Sequence, residues 1–361
     1  MKTIKRVLMM AGGTGGHVFP GLAVAHKFRE QNIEVYWLGT KNGLEAKVVP
    51  AAGFPIEFIS IAGVRGKGLR GLLLAPFRLF FAVIQSWKII RRLQPDVVIG
   101  MGGFVSGPGG LASRLLNKKL VIHEQNAKAG LTNRYLAWFA ARVLQGFPET
   151  FKSSKKIITT GNPVRAEIAA IPAPEQRMSV PQKSLRLLVL GGSLGAQAIN
   201  ECVPKVLSQM CVEDRPQVLH QTGEKHFAET KKIYEALHLE ATVVPFIQDM
   251  ATAYANADMV LCRAGALTIA ELCAAGVGAI LIPFPHAVDD HQTINAAYMV
   301  KEGAAILLLQ SAMTVTTLSQ ALQKLIASRQ TMAVAAYKLR KTDATDTVVK
   351  ICKEISYALD I

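Results

Sequence analysis

Five short runs of this sequence bring glycine, histidine, carboxylate or amide groups close enough together to do chemistry, and each follows a stretch that reads as a β-strand. The first is Gly12-Gly13-Thr14-Gly15-Gly16-His17, which precedes a helix starting near Pro20. Glycine lets the backbone approach a ligand closely, and the first N–H groups of a helix have no partner within it, so this run suits an anion. Its register departs from G-x-G-x-x-G, and Leu38-Gly39-Thr40 offers no acidic residue at the end of the second strand, which weakens a dinucleotide reading. A tight turn without a ligand is the plain alternative.

The second run, Cys262-Arg263-Ala264-Gly265-Ala266-Leu267-Thr268-Ile269-Ala270-Glu271, is another strand, turn and helix. The amides of Ala266, Leu267 and Thr268 would point at a diphosphate, and Glu271, one turn into the helix, could accept both hydroxyls of a ribose. Alternatively Glu271 only complements the helix dipole, an effect of about 0.3–1 kcal/mol. In the third run, residues 283–292, two His, two Asp and Gln292 could hydrogen-bond a sugar or form a solvated loop capping a helix at Thr293. The two Asp adjoin each other and the chain has no D-x-D triplet, which disfavours a metal site. The fourth, His123-Glu124-Gln125-Asn126, gives an apolar strand a polar end. Glu124 and His17 are the two general-base candidates of the first half, each equally readable as a satisfied structural group. In the fifth, Gly161-Asn162-Pro163-Val164-Arg165, the arginine could pair with a phosphate or sugar oxygen, or close an interdomain salt bridge.

Strands and helices must hold these runs in place. Short β-branched stretches at 6–10, 34–38, 56–59, 96–100, 120–123, 143–145 and 157–160 alternate with helix-like stretches, and a second series follows at 185–190, 217–221, 242–245, 259–262, 279–282 and 305–309. Such alternation implies βαβ units and parallel sheets. The halves echo each other, with GGTGGH answered by GGSLGA at 191–196, and IGMGGFVSGPGG at 99–110 answered by LCRAGALTIAE at 261–271. This pattern implies two Rossmann-like halves with a cleft between them and ligands at the carboxyl ends of strands. The boundary is placed between residues 164 and 165, with the Pro-rich, polar stretch 169–184 as linker. A last stripe, Val348, Ile351, Cys352 and Ile355, predicts an amphipathic helix able to pack back on either half, the first being preferred.

At 361 residues, half of them hydrophobic, the chain can bury two cores, and disorder is excluded. Five scattered cysteines without a C-x-x-C pair argue against disulfides or zinc and fit a reducing cytosol. The apolar run at 7–11 is too short for a secretion signal. Residues 1–164 hold 23 Lys and Arg against 7 Asp and Glu, whereas residues 165–361 hold 18 against 19, so the whole excess of +15 arises in the first half. A field of that sign attracts nucleic acid, anionic lipid or phosphorylated substrates. Between residues 58 and 95 seven basic residues and no acidic one surround an apolar run. Arg78 in mid-run makes a spanning helix costly. The preferred reading is a surface patch of Leu72, Leu73, Leu74, Phe77, Phe80 and Phe81 seated in anionic lipid, the alternative a core helix with a basic outer face. Nucleic acid is disfavoured, because aromatic residues do not interleave with the charges.

Taken together, GGTGGHVFPGLAVA, GMGGFVSGP, HEQNA-x-AGLTNR, GNPVR, GGSLGA, CRAGALTIAEL and PFPHAVDDHQTINA resemble the MurG family, in that family's order and over nearly the whole chain. The resemblance implies the two-domain GT-B fold, no metal or other cofactor, and an inverting, β-1,4-forming N-acetylglucosaminyltransferase that converts lipid I to lipid II. It implies that UDP-N-acetylglucosamine sits mainly on the second half: Glu271 on the ribose, Ile247 on the uracil, Ser193 and the Ala266, Leu267 and Thr268 amides on the diphosphate with Ile269 and Ala270 beside them. Asn126, Gln292 and Asn295 would meet the sugar, Arg165 would lie near the nucleotide, and Thr14, Gly15 and Gly16 would line the opposite wall. The undecaprenyl-diphosphate acceptor would rest on Gly13, Gly102 and Gly103, with the Leu72 to Phe81 patch on the cytoplasmic face of the inner membrane and other cell-wall and division proteins as further partners. Here Ala264 stands where relatives often carry serine, which removes a hydroxyl contact and leaves the backbone donors. His17 is the favoured base and Glu124 the second candidate, with closure over UDP completing the site.

Overall fold

A computed structural model describes residues 4–61, 74–178, 184–192 and 195–357. The chain divides into two compact units, one formed by Met1–Val164 with Thr342–Ile361 and the other by Arg165–Lys341. The first holds strands β1 (Arg6–Met10), β2 (Glu34–Gly39), β3 (Ile56–Phe58), β4 (Val97–Gly100), β5 (Lys119–Glu124), β6 (Arg142–Gln145) and β7 (Ile157–Thr159). The second holds β8 (Arg186–Leu190), β9 (Gln217–Gln221), β10 (Thr242–Val244), β11 (Met259–Cys262), β12 (Ala279–Leu281) and β13 (Ala305–Leu307).

The strand order is β3-β2-β1-β4-β5-β6-β7 in the first sheet and β10-β9-β8-β11-β12-β13 in the second. Every pairing is parallel. Both sheets therefore run outward in two directions from one central pair, β1/β4 and β8/β11, as doubly wound sheets do. Parallel strands are covered on both faces, so their residues are apolar throughout and alternate between two cores. In β1, Val7 and Met9 face the helices Gly15–Glu30 and Ala344–Tyr357, while Leu8 and Met10 face Ala75–Leu93, Ser106–Leu115 and Leu131–Leu136. In the second unit Leu187, Val189, Met259 and Ile280 pack against the helices Gln197–Ser208 and Val315–Lys338.

Two features differ from the sequence reading. Residues 169–178 are not a free linker: they carry the short helix Pro174–Arg177, and Arg177 donates to the carbonyls of Pro172, Ala255, Ala275 and Gly276. One guanidinium thereby satisfies two carbonyls at the end of the helix Ala266–Ala275 and one near the end of the helix Met250–Asn256. Composition reports the polarity of such a stretch but not that one of its cations is stitched to a distant helix end. Residues 179–183 lie outside the described residues. The amphipathic stripe became the helix Ala344–Tyr357, whose Val348, Val349, Ile351, Cys352 and Ile355 are buried in the first unit's core beside the helix Gly15–Glu30.

The helix Ala75–Leu93 buries Ala82, Ser86, Ile89, Ile90 and Leu93, and leaves residues 76–81 in solvent, with Phe77, Phe80 and Phe81 each at least 60% exposed and Leu74 exposed beside them. Leu72 and Leu73 lie outside the described residues. No helix among the described residues is long and apolar enough to cross a membrane.

Candidate active site

In an open parallel sheet the connections leave the central pair in opposite directions, which opens a crevice at the carboxyl ends. In the first unit this point is flanked by the loop after β1, holding Gly12 to Thr14, and the loop after β4, holding Gly102 and Gly103. The two loops touch. Gly103 has φ +82, and a Cβ there would lie 2.2 Å from the carbonyl oxygen of Gly12; Gly102, at φ +98, would drive a Cβ into the His17 ring. Only glycine accepts both the left-handed backbone and the contact. The helix Gly15–Glu30 starts here with no side-chain cap and no acidic residue in its first turn, so its leading amides are left for an anion. Gly13, Thr14 and Gly16 are exposed at its tip, and His17 is half-buried.

The loop is braced by a residue that the sequence reading passed over. Glu45 is fully buried, accepting from the Gly13 amide at 2.9 Å, the Thr40 amide at 2.9 Å and the Thr40 hydroxyl at 2.7 Å. It ties the glycine turn after β1 to the end of β2. Nothing in the sequence sets Glu45 apart from the six other acidic residues of the first half.

Behind His17 lies a chain of polar groups. Its Nδ1 is 3.1 Å from Gln125 Oε1, Gln125 Nε2 is 3.2 Å from His123 Nδ1, and His123 Nε2 is 3.0 Å from the carbonyl of Gly161. His123 is completely buried, and loss of solvation lowers its pKa to about 4 against the pull of the Gly161 carbonyl, so it is neutral at pH 7. Glu124, the second base candidate, is buried, and its oxygens accept from the Asn126 amide and side chain, the Gly130 amide and the Asn133 side chain. Four donors converge on this carboxylate, so here it is the brace of the loop between β5 and the helix Leu131–Leu136, with Asn126 held inside that brace.

In the second unit the switch point lies between the residues that follow β8, of which 191, 192, 195 and 196 are described, and the turn Arg263 to Gly265 after β11. Ser193 lies outside the described residues. The helix Ala266–Ala275 begins at Gly265 without a side-chain cap or an acidic first turn, so the leading amides, including those of Leu267 and Thr268, are oriented for an anion. Ile269 is in the core and Ala270 half-buried. Glu271 is buried at this helix's first turn and a half, with Oε1 2.9 Å from Arg165 Nη2 and Oε2 3.2 Å from the Tyr254 hydroxyl. Burial pushes its carboxyl above the ordinary range, opposed by Arg165 and by the Tyr254 hydroxyl. The arginine is thus in an ion pair inside the second unit, rather than in one that links the two halves. Tyr254 was not singled out from the sequence, since nothing near it in the chain marks it as a carboxylate partner.

The remaining residues sit around this turn. Asn295 is fully buried and donates to the Ala264 carbonyl at 3.3 Å, bracing the turn from beneath. Gln292 accepts from the Phe284 amide at 2.9 Å and so closes the loop after β12 on itself. Arg263 donates to the carbonyls of Ile282 and Pro283 and to Gln310, which pins that loop to the β11 turn. Asp290 accepts from the Thr293 hydroxyl at 2.7 Å where the helix His291–Lys301 begins. Ile247 is buried, its amide held by Gln221 at 3.0 Å.

The order of these parts is found in known proteins. Residues 7–145 match the glycosyltransferase family 28 N-terminal domain and residues 186–350 its C-terminal domain. The chain is 53% identical over 353 residues to a UDP-N-acetylglucosamine–N-acetylmuramyl-(pentapeptide) pyrophosphoryl-undecaprenol N-acetylglucosamine transferase of Marinobacter nauticus, covering 97% of each chain. It is 52% identical to the protein of the same name from Nitrosococcus oceani, covering 97% of this chain and 99% of that one. The crystal structure of Acinetobacter baumannii MurG superposes with a TM-score of 0.84 at 42% identity, covering 97% and 99% of the two chains. A UDP-N-acetylglucosamine 2-epimerase structure superposes with a TM-score of 0.64 at 12% identity, which reflects a shared fold alone. With half its residues identical along almost its full length, and both glycine-lined switch points in place, the chain belongs to the MurG family of GT-B glycosyltransferases.

Proposed function

We infer that the protein is a UDP-N-acetylglucosamine-dependent hexosyltransferase that moves N-acetylglucosamine to the C4 hydroxyl of lipid I, the undecaprenyl-diphosphate-linked muramyl pentapeptide, giving lipid II for peptidoglycan synthesis. One observation carries the geometric side of this reading. Each unit presents, at its switch point, a helix N-terminus free of acidic residues behind a glycine turn, and both reactants of this transfer carry a diphosphate.

The donor belongs to the second unit. The Ala266, Leu267 and Thr268 amides and the Ser193 loop take its diphosphate, Glu271 holds the ribose, Ile247 contacts the uracil, and Arg165, released from Glu271 or shared with it, meets the nucleotide. Asn126 and Gln292 reach the sugar, while Asn295 acts by holding the turn. The acceptor diphosphate belongs to Gly13, Gly102 and Gly103 in the unit that carries the positive excess. His17 takes the proton of the C4 hydroxyl as that oxygen attacks the anomeric carbon from the face opposite UDP. The bond to UDP breaks with its electron pair going to the diphosphate, stabilised by helix amides that need no divalent cation. The exposed phenylalanines of the helix Ala75–Leu93 seat the protein on anionic lipid at the inner leaflet.

The test is lipid II formation from UDP-N-acetylglucosamine and a short-chain lipid I with a chelator present. Turnover is expected to persist in chelator, and Glu271→Ala to raise the donor KM about tenfold or more, the loss of a charged hydrogen-bond acceptor. A strict magnesium requirement, or a Glu271→Ala protein with unaltered donor KM, contradicts the assignment.

A further inference from the structure

We propose that Gln125 and His123 are positioning residues that hold His17 with its proton on Nδ1 and its lone pair on Nε2, the form able to receive the acceptor's proton. The proposal rests on His17 being the base.

One atom at the end of this chain of polar groups cannot change role. The Gly161 carbonyl oxygen only accepts, and it lies 3.0 Å from His123 Nε2, so that nitrogen carries the proton. The Thr160 hydroxyl does not alter this. It donates to the same carbonyl at 2.9 Å and turns its oxygen toward His123 Nε2 at 3.3 Å, offering a second acceptor. A fully buried, neutral imidazole protonated on Nε2 must accept on Nδ1. The group facing it at 3.2 Å is therefore the amide nitrogen of Gln125, which fixes the side chain's orientation and turns Oε1 toward His17. An amide oxygen only accepts, so His17 Nδ1, at 3.1 Å, is the donor. Each role follows from the one before it, from a backbone carbonyl in the loop after β7 to the half-buried imidazole beside the glycine turns.

Packing supports the same arrangement. Gly102 leaves no room for a Cβ beside His17 Nδ1, so the ring lies between this glycine and Gln125. The Asn162 side chain donates to the Gln125 backbone carbonyl at 3.0 Å and anchors the residue in the chain. During transfer Nε2 gains the hydroxyl proton, the imidazole becomes a cation, and Gln125 continues to accept from Nδ1; the proton then leaves to water. A neutral amide orients the base without adding a carboxylate's charge next to it, which distinguishes this arrangement from a histidine–carboxylate pair.

The test combines kinetics with histidine NMR on the full-length protein. Gln125→Met keeps the side chain's length and removes its acceptor. It is expected to lower kcat about tenfold or more while donor and acceptor KM stay within about twofold, a loss confined to the proton-transfer step. Gln125→Glu, its buried carboxyl kept protonated by the lone pair of His123 Nδ1 that faces it, keeps one oxygen to donate to His123 and one to accept from His17, and is expected to recover about tenfold in kcat over Gln125→Met. In the resting wild-type protein the His17 Cδ2 and ring-nitrogen shifts are expected to report the Nδ1–H form, and in Gln125→Met a mixture. A wild-type Nε2–H form overturns the proposal whatever the kinetics. Equal losses in Gln125→Met and Gln125→Glu reduce Gln125 to a structural part and overturn it too. If His17→Ala is inactive while Gln125→Met turns over at the wild-type rate, the positioning chain fails and the base assignment stands. If His17→Ala keeps its kcat, the base assignment itself fails.

Discussion

Two imidazoles in this molecule are neutral because they are out of water. Loss of solvation lowers His123 to about 4 and His220 to about 3; the latter lies between the Tyr234 hydroxyl and the Asn200 side chain. Both residues titrate near 6.5 in the unfolded chain. Below that pH the unfolded state binds more protons than the folded one, so stability is complete above about 6.5 and is lost as pH falls toward 4 for His123 and 3 for His220. The cost reaches on the order of 3 kcal/mol for His123 at the bottom of its window. Urea midpoints measured between pH 7 and pH 4.5 are expected to decline, and His123→Asn or His220→Asn should flatten the slope; a wild-type midpoint that rises on acidification contradicts the assignment. At this scale the sequence told the glycine turns, His17 and Glu271 apart from their surroundings, because a run of glycine beside a polar side chain is visible locally. It did not reveal what Glu45, Tyr254 or Gln125 bind. Besides near neighbours such as Thr40 and His123, they bind Gly13, Glu271 and His17, which are 32, 17 and 108 residues away, and one chain read alone contains no record of such distant pairings.

The elements were more legible than their partners. Thirteen strand stretches read from β-branched runs correspond to the thirteen strands among the described residues, since buried parallel strands are continuous apolar segments with turn residues on either side. The stretch around Arg177 misled because proline and polar composition describe a linker and a short capped helix equally well. The close approach of the loops after β1 and β4 permits a sharp test. Gly103→Ala adds one carbon where φ is +82 and the Gly12 carbonyl is in the way. A destabilisation of about 1–3 kcal/mol is expected, together with a raised acceptor KM, because the turn must shift. A Tm within a degree of wild type and unchanged kinetics would count against the packing of these loops. The helix Ala75–Leu93 gives a second test. Phe77→Ser, Phe80→Ser and Phe81→Ser combined should cut binding to anionic vesicles by at least about a hundredfold, given roughly 1.5–3 kcal/mol per buried aromatic side chain. Activity on a water-soluble acceptor should be kept. Binding that survives the triple change assigns membrane attachment elsewhere.

At the scale of the whole molecule, the chain leaves the first unit after Val164 and re-enters it at Thr342. The positive excess and the exposed phenylalanines are in this unit, the Glu271 turn in the other. The final amphipathic stripe was readable from its spacing, but nothing in the spacing chose between the two cores that could receive it. Its actual place has a consequence for how the protein is made. Five side chains of the helix Ala344–Tyr357 complete a core whose other members were translated before residue 165. A ribosome adding about 5–20 residues per second needs roughly ten seconds or more to make the intervening unit. Throughout that interval the nascent first unit lacks one wall, and the apolar surface beside the helix Gly15–Glu30 that the last helix covers is available to a chaperone. Stalled nascent chains whose emerged part stops at residue 341 should therefore be cut by protease within residues 4–164 and bind a hydrophobic-surface probe, and chains emerged to residue 357 should resist both. Equal resistance in the two would mean that the first unit matures without its last helix.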